Sequence, residues 1–221
     1  MASTWAFEAQ GPGSIPGGGA TLYRPPETTD AVRGRAVSQL DLAIVLAAGE
    51  GTRMKSSLPK VLHPIAGRAI LDHVLKATQA ASAGELRVVI GSGREQVEAH
   101  LAAHFPQATL VVQEKRNGTG HAVQIALESA AHVGTVMILA GDTPLITAET
   151  LREFVVAHAE SKADASVLTA YVPEPFGYGR IVRDASGDLV KIVEERDAND
   201  YEREIDEINT GIYLFDIAAL R

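Results

Sequence analysis

The chain has 221 residues, 46% of them hydrophobic, and a formal net charge of −8, enough apolar material for one domain with its own core. It has no cysteine, which excludes a disulfide scaffold, thiolate metal sites and a cysteine nucleophile, and fits a reducing compartment. The acidic balance argues against nucleic-acid binding, no apolar run approaches the roughly 20 residues that span a bilayer, and no secretory signal is read, so a soluble cytoplasmic protein is expected.

Residues 1–40 read as a disordered N-terminal extension. GPGSIPGGG (Gly11 to Gly19) and RPPETTD (Arg24 to Asp30) are rich in Gly, Pro and Thr and have no apolar period. From residue 41 to 221 the pattern is that of an α/β domain. LAIVLAA (Leu42 to Ala48) has strand character, and Ile70, Leu71, Val74, Leu75 and Thr78 then share one helical face. LRVVIG (Leu86 to Gly91) is a second strand, followed by Val97, Leu101 and Phe105 at helical spacing. TLVVQ (Thr109 to Gln113) is a third, followed by a helix over HAVQIALESAA (His121 to Ala131). TVMILAGD (Thr135 to Asp142) is a fourth, followed by a helix over Thr147 to Ala159 with Thr147 as its N-cap.

Four βα units with almost continuously apolar strands predict a mostly parallel central sheet covered by helices on both faces, a Rossmann-like α/β fold. Ligands then bind beyond the C-terminal strand ends, in the loops after Ala48, Gly91, Gln113 and Leu139. The second half is less regular. Strands are expected over SVLTAYV (Ser166 to Val172), on either side of a turn at Ser186–Gly187, and over INTGIYLFD (Ile208 to Asp216), as added β structure over one end of the sheet. Between Glu194 and Glu207 eight acids stand against two arginines, which reads first as a solvated surface.

The loop LAAGEGTRMKSSLPK (Leu46 to Lys60) sets glycines and cations directly after an apolar strand. Glycines let backbone N–H groups approach an anion, and Arg53 and Lys60 add mobile positive charge, so a polyphosphate fits. The Walker A and dinucleotide spacings both fail, because Met54 stands where each needs glycine. His100 and His104 sit four apart on a helix, but Leu101 stands where a zinc protease needs glutamate. Glu194 and Glu195 are adjacent, which in a strand sends them to opposite faces.

The full string G-x-G-T-R-M, a gap, then L-P-K resembles the signature of the sugar-phosphate nucleotidyltransferases. Its continuation VLHPIAGRAIL (Val61 to Leu71) resembles the branch of bacterial N-acetylglucosamine-1-phosphate uridyltransferases, where this domain is the N-terminal half of a bifunctional enzyme. The likeness runs from Leu42 to Arg221. It recurs at Gln113 with NGTGHA (Asn117 to Ala122), and at AGDTPLI (Ala140 to Ile146), FGYGRIVR (Phe176 to Arg183), KIVEERDA (Lys191 to Ala198) and EINTGIYLF (Glu207 to Phe215). It departs at Arg116, where a second glutamine is common, and at Asn117, where leucine is.

The resemblance implies a Mg²⁺-dependent reaction of UTP with N-acetylglucosamine 1-phosphate, giving UDP-N-acetylglucosamine, a peptidoglycan precursor, and pyrophosphate. Leu46, Ala47, Ala48 and Gly49 would hold the nucleotide through backbone. Arg53 would stabilise the transition state and the leaving pyrophosphate, and Lys60 would bind phosphate. Gln113, Gly118 and Thr119 would read the uracil. Ala140 and Gly141 would line the substrate site, and Asp142 would ligate Mg²⁺. Gly179, Glu194 and Asn209 would contact the amino sugar. The family's second metal ligand, an asparagine, lies beyond residue 221, so the domain reads as incomplete at its C-terminus. So does the family's C-terminal β-helical half, which carries trimer contacts and acetyltransferase activity. The alternatives left open are a relative with another sugar or base, such as a glucose-1-phosphate uridylyl- or thymidylyltransferase, and an inactive nucleotide-binding fragment.

Overall fold

The structure is a computed structural model that describes residues 2–8, 21–22, 40–49, 51, 54–81, 83–91, 93–115, 117–128, 130 and 134–220. In chain order the strands are β1 (Ala2–Glu8), β2 (Thr21–Leu22), β3 (Leu40–Ala47), β4 (Pro64–Ile65), β5 (Arg68–Ala69), β6 (Ala83–Ile90), β7 (Thr109–Val112), β8 (Thr135–Ala140), β9 (Ala165–Tyr171), β10 (Arg180–Arg183), β11 (Leu189–Val193) and β12 (Glu207–Asp216). The helices are α1 (Ile70–Ala80), α2 (Arg94–His104), α3 (Gly118–Leu127), α4 (Ala148–Ser161) and two short ones, α5 (Asp200–Arg203) and α6 (Ile217–Leu220).

β7, β6, β3 and β8 lie side by side and parallel, each delivered by one of the expected βα units. Their continuous apolar runs divide by the strand period of two. Ala43, Val45 and Ala47 of β3 join Val88, Ile90, Met137 and Leu139 in a core against α1, α2 and α4. Leu42 and Ile44 join Val89, Val136 and Ile138 in a smaller core against α3 and α6. The helices fall where the sequence places them, and Thr147 caps α4 by accepting the Thr150 N–H at 3.1 Å. α3 begins earlier than its apolar period suggests, at Gly118, so part of the NGTG segment is its first turn.

β12 does not sit over one end of the sheet as expected. It lies inside it, antiparallel to both β8 and β9. The sequence of a strand does not encode which neighbours it joins across long loops. The β10–β11 hairpin hangs from β12 through the Arg180–Ile208 pairing. The β3–α1–β6 and β8–α4–β9 crossovers run in opposite directions across the sheet yet place α1 and α4 on one face. They are therefore of opposite hand, and one of them is the rare left-handed kind.

The expectation of an unstructured segment over residues 1–40 needs correction where that segment is described. Ala2–Glu8 forms a strand parallel to β9, paired in turn with Thr21–Leu22. The Gly- and Pro-rich runs begin only at residue 11, and the preceding STWAF carries strand-favouring Thr, Trp and Phe. Leu40 already belongs to β3.

Two histidines settle into packing roles. His100 bonds the buried Asp72 at 2.6 Å, joining α2 to α1, and its ring stacks on His104. His158 of α4 is buried and its Nδ1 lies 2.8 Å from the Ser166 hydroxyl of β9. Burial holds its pKa below the ordinary 6.5, against the pull of nearby Asp216. The unfolded chain therefore binds a proton that the folded chain refuses, and stability falls as the pH drops below about 6.5 toward the lowered folded value. His158→Gln removes that loss. The melting-temperature advantage of the wild type over His158→Gln should shrink between about pH 7.5 and pH 5.5, while two parallel curves would show that another group carries the effect.

Candidate functional site

β3 connects outward to β6 on one side and borders β8 on the other, so the strand order reverses between β3 and β8. A crevice opens at the C-terminal ends of strands at such a point. Leu46 and Ala47 end β3, and Ala48 and Gly49 follow. Ala140 ends β8, and the Gly141 N–H donates to the Leu46 carbonyl at 2.9 Å, locking the two strand ends together. Asp142 stands one residue further on.

Lys60 reaches this crevice from the long loop after β3. Pro59 precedes a 3-10 turn, Lys60–Leu62, whose Val61 is buried and anchors it. The Lys60 ammonium donates to Asp142 Oδ2, with the two side chains 40% and 32% exposed. The expected phosphate-binding cation and the expected metal-binding carboxylate thus meet, and neutralise each other, in the ligand-free chain. Among the described residues no three carboxylates or imidazoles cluster as a metal cage. A lone strand-end carboxylate still fits Mg²⁺, which takes one or two carboxylates and completes its shell with water and substrate phosphates. Arg53 lies outside the described residues.

At the end of β7, Gln113 is only 6% exposed, and its N–H donates to the Ile90 carbonyl at 2.8 Å. Its side-chain Nε2 donates to the Gly118 carbonyl at 3.0 Å and lies 3.3 Å from His121 Nδ1. Both amide hydrogens are therefore committed, and Oε1 remains as an acceptor beside the exposed first turn of α3, which carries Thr119.

The remaining predicted residues gather at the same end of the sheet. β12 runs antiparallel to β8, pairing Asp216 with Thr135 and Tyr213 with Ile138, so its beginning lies at the end of β8 where Asp142 stands. The Asn209 N–H donates to the Gly179 carbonyl at 2.8 Å. Gly179 is buried under Glu194: a Cβ there would lie 3.3 Å from Glu194 Oε1 and 3.5 Å from Asn209 Cβ, so the glycine lets the Glu194 carboxylate sit close without being pushed aside.

Sequence reasoning missed what holds this cluster. Glu194 and Glu195 follow β11 in a turn, and they do separate in role. Glu195 Oε2 accepts from Arg180 at 2.8 Å and from the Gly177 N–H at 3.0 Å, and these contacts hold its carboxyl below the ordinary carboxylate range. Arg180, 2% exposed, also donates to the carbonyls of Tyr178 and Arg203. It ties the loop before β10 to the turn after β11. Glu207, 3% exposed, receives two bonds of 2.7 Å from Arg183 and one of 2.8 Å from Thr169. Part of the acidic run read as a solvated surface is thus spent on guanidinium partners, Arg180 buried and Arg183 half-buried.

Comparison with known proteins places the chain in a family. The sequence model of the MobA-like NTP transferase domain matches residues 43–205. The chain is 52% identical over 176 residues to the bifunctional protein GlmU of Streptomyces avermitilis, covering 78% of this chain and 36% of that protein. It is 51% identical over 182 residues to the GlmU protein of Thermobifida fusca, and 51% identical to that of Lactococcus lactis subsp. cremoris, each over 80% of this chain and 38% of the relative. The chain therefore spans a little over a third of the length of these curated relatives. Among solved structures, one from Bacillus anthracis assigned as a glucose-1-phosphate thymidylyltransferase, with sucrose bound, superposes with a TM-score of 0.69 at 22% identity over 80% of this chain and 72% of that one. HddC from Yersinia pseudotuberculosis superposes at 0.66 with 20% identity, over 80% of this chain and 77% of that one. Both share the fold.

Arg180 is the keystone of the β10–β11 wall, and removing it takes the donor from Glu195 and from the Tyr178 and Arg203 carbonyls at once. Arg180→Ala should lower the melting temperature by more than about 5 °C. Because the sheet core is untouched, far-UV circular dichroism of the folded variant should match the wild type. A shift within about 1 °C would mean that the hub holds nothing.

Proposed function

Since the chain belongs to the MobA-like NTP transferase domain family, we propose that it handles UTP and N-acetylglucosamine 1-phosphate as a uridylyltransferase. A sugar-phosphate oxygen attacks the α-phosphorus of UTP, the bond to the β-phosphate breaks, and UDP-N-acetylglucosamine and pyrophosphate leave. The observation that carries this reading is the identity of about 50% to GlmU proteins over about 80% of this chain.

The substrate phosphate is itself the nucleophile, so the protein needs no nucleophilic side chain. Its work is to position two polyanions and to offset their charge. Leu46 to Gly49 present backbone to the nucleotide, and Gln113 Oε1 accepts from the uracil N3–H. Lys60 moves from Asp142 to a phosphate oxygen, and Arg53 is assigned to the leaving pyrophosphate. Gly179, Glu194 and Asn209 hold the amino sugar. A divalent ion at Asp142, Mg²⁺ by its preference for oxygen, supplies further neutralisation when bound. The reaction belongs to an aqueous, cytoplasmic setting. Among the described residues no helix is long and apolar enough to cross a membrane.

Calorimetric titration with UDP-N-acetylglucosamine, UDP-glucose and a thymidine analogue tests the reading. Clear preference for the first supports it, and equal or absent binding of all three overturns it. The Lys60–Asp142 pair adds a signed expectation. Without metal, Asp142→Asn frees Lys60 and should bind UTP as tightly as the wild type or up to about fivefold more tightly, the span of a partly exposed ion pair. Its binding should no longer respond to added Mg²⁺. Weaker metal-free binding by Asp142→Asn would rule out the exchange.

A further inference from the structure

Asn209 occupies a built irregularity. On β9 the register steps from Thr169 to Leu168, while on β12 it steps from Asn209 to Ile212, so β12 bulges between them. Gly211 takes the left-handed conformation at φ +75°, which favours glycine. The Thr210 hydroxyl donates to the Leu168 carbonyl at 2.6 Å and seals the bulge against β9. In a regular strand, residues four apart stand roughly 13 Å apart. Here the shortening brings the Tyr213 hydroxyl onto the Asn209 amide.

The contacts fix that amide completely. Asn209 Oδ1 accepts from the Gly211 N–H at 3.0 Å, and because a backbone N–H only donates, the atom there is oxygen. Oδ1 accepts again from the Tyr213 hydroxyl at 3.0 Å, and Nδ2 donates to the same hydroxyl at 2.7 Å, closing a ring of two bonds. Both lone pairs of Oδ1 and one hydrogen of Nδ2 are then used. The second Nδ2 hydrogen has no partner among the described residues, and neither does the carboxylate of Glu194 across Gly179. Glu194 lies close enough to act on the Tyr213 phenol, whose pKa burial raises first and the Glu194 charge raises further.

We infer that Tyr213 is a positioning residue: its hydroxyl locks the Asn209 amide so that the site offers the ligand one N–H donor beside one acceptor-only carboxylate. The inference rests on the proposed sugar-nucleotide reading for the identity of the ligand, and on geometry alone for the lock. A ligand group that fits must present an acceptor to Asn209 and a donor to Glu194. An acetamido or hydroxyl-bearing sugar does so, and a sugar bearing a carboxylate at that point is repelled by Glu194. Tyr213 needs no contact with the ligand for this.

The test uses the whole chain. In ¹⁵N-correlated spectra of the ligand-free protein, the Asn209 side-chain amide should be well dispersed. In Tyr213→Phe it should collapse toward the position of a freely rotating amide, with backbone signals outside β12 unmoved. Calorimetry should find UDP-N-acetylglucosamine bound about tenfold more weakly by Tyr213→Phe and UTP bound equally, the loss expected of one hydrogen-bonded anchor. In an Asn209→Ala background the same change should have no further effect, since there is no amide left to orient. An undispersed Asn209 signal in the wild type, an equal loss for both ligands, or additivity with Asn209→Ala each overturns the inference. If the wild type binds neither ligand, the proposed function fails. The amide spectrum then decides the lock by itself.

Discussion

A strand buried on both faces has nowhere to put a charge except at its ends. β3 and β8 are such strands, and this constraint arranges everything else in the molecule. The polar residues proposed to meet a ligand lie past Ala47 and Ala140, in loops that start from a rigid and shared edge. The Gly141-to-Leu46 bond makes that edge one unit rather than two. Lys60 can then arrive from the long loop after β3, because its target, Asp142, is held by strands that cannot shift without opening a close-packed core.

The other half of the site answers to a different demand. β12 enters the sheet antiparallel, so its beginning rather than its end lies at the functional edge. That inversion lets Asn209 meet residues from the β10–β11 hairpin. The hairpin is small and would be marginal alone. Half-buried guanidinium–carboxylate contacts fasten it: Arg180 to Glu195 at its base and Arg183 to Glu207 on β12. An ion pair with one buried member is a poor source of stability but a strict source of geometry, since the buried partner tolerates few alternatives. Gly179 and Glu194 inherit their placement from that strictness.

Much of the fold could be read from residue order because buried parallel strands are continuous apolar runs, and the helices between them keep their own period. The loops after β3 and β8 could be read for the same reason: glycine, cation and aspartate stand out where an apolar run stops. What could not be read depended on pairing. β12 looks like any strand, and only the folded chain says that it lies between β8 and β9. Tyr213 and Asn209 are four residues apart, a spacing that keeps strand residues apart, and the bulge that joins them is a property of register. Glu194 to Glu207 reads as a charged surface because composition does not reveal which acids face an arginine. Ala2 to Glu8 was hidden by the Gly- and Pro-rich stretch that follows it.

The crossover of unusual hand places α4 on the side already occupied by α1 and α2, and it leaves the sheet unevenly clad. Three long helices back one face. On the other, among the described residues, α3 and the single turn of α6 stand over a smaller core. Opening that thinner side exposes less apolar surface and so costs less free energy. Gly118 and Thr119, which begin α3, and Tyr213, on the same side of β12 as Phe215, both belong to it. The chain thereby keeps its heavily backed face as a foundation, with Val61 anchoring Lys60 into it, and sets the residues proposed to meet base and sugar beside the thinner layer.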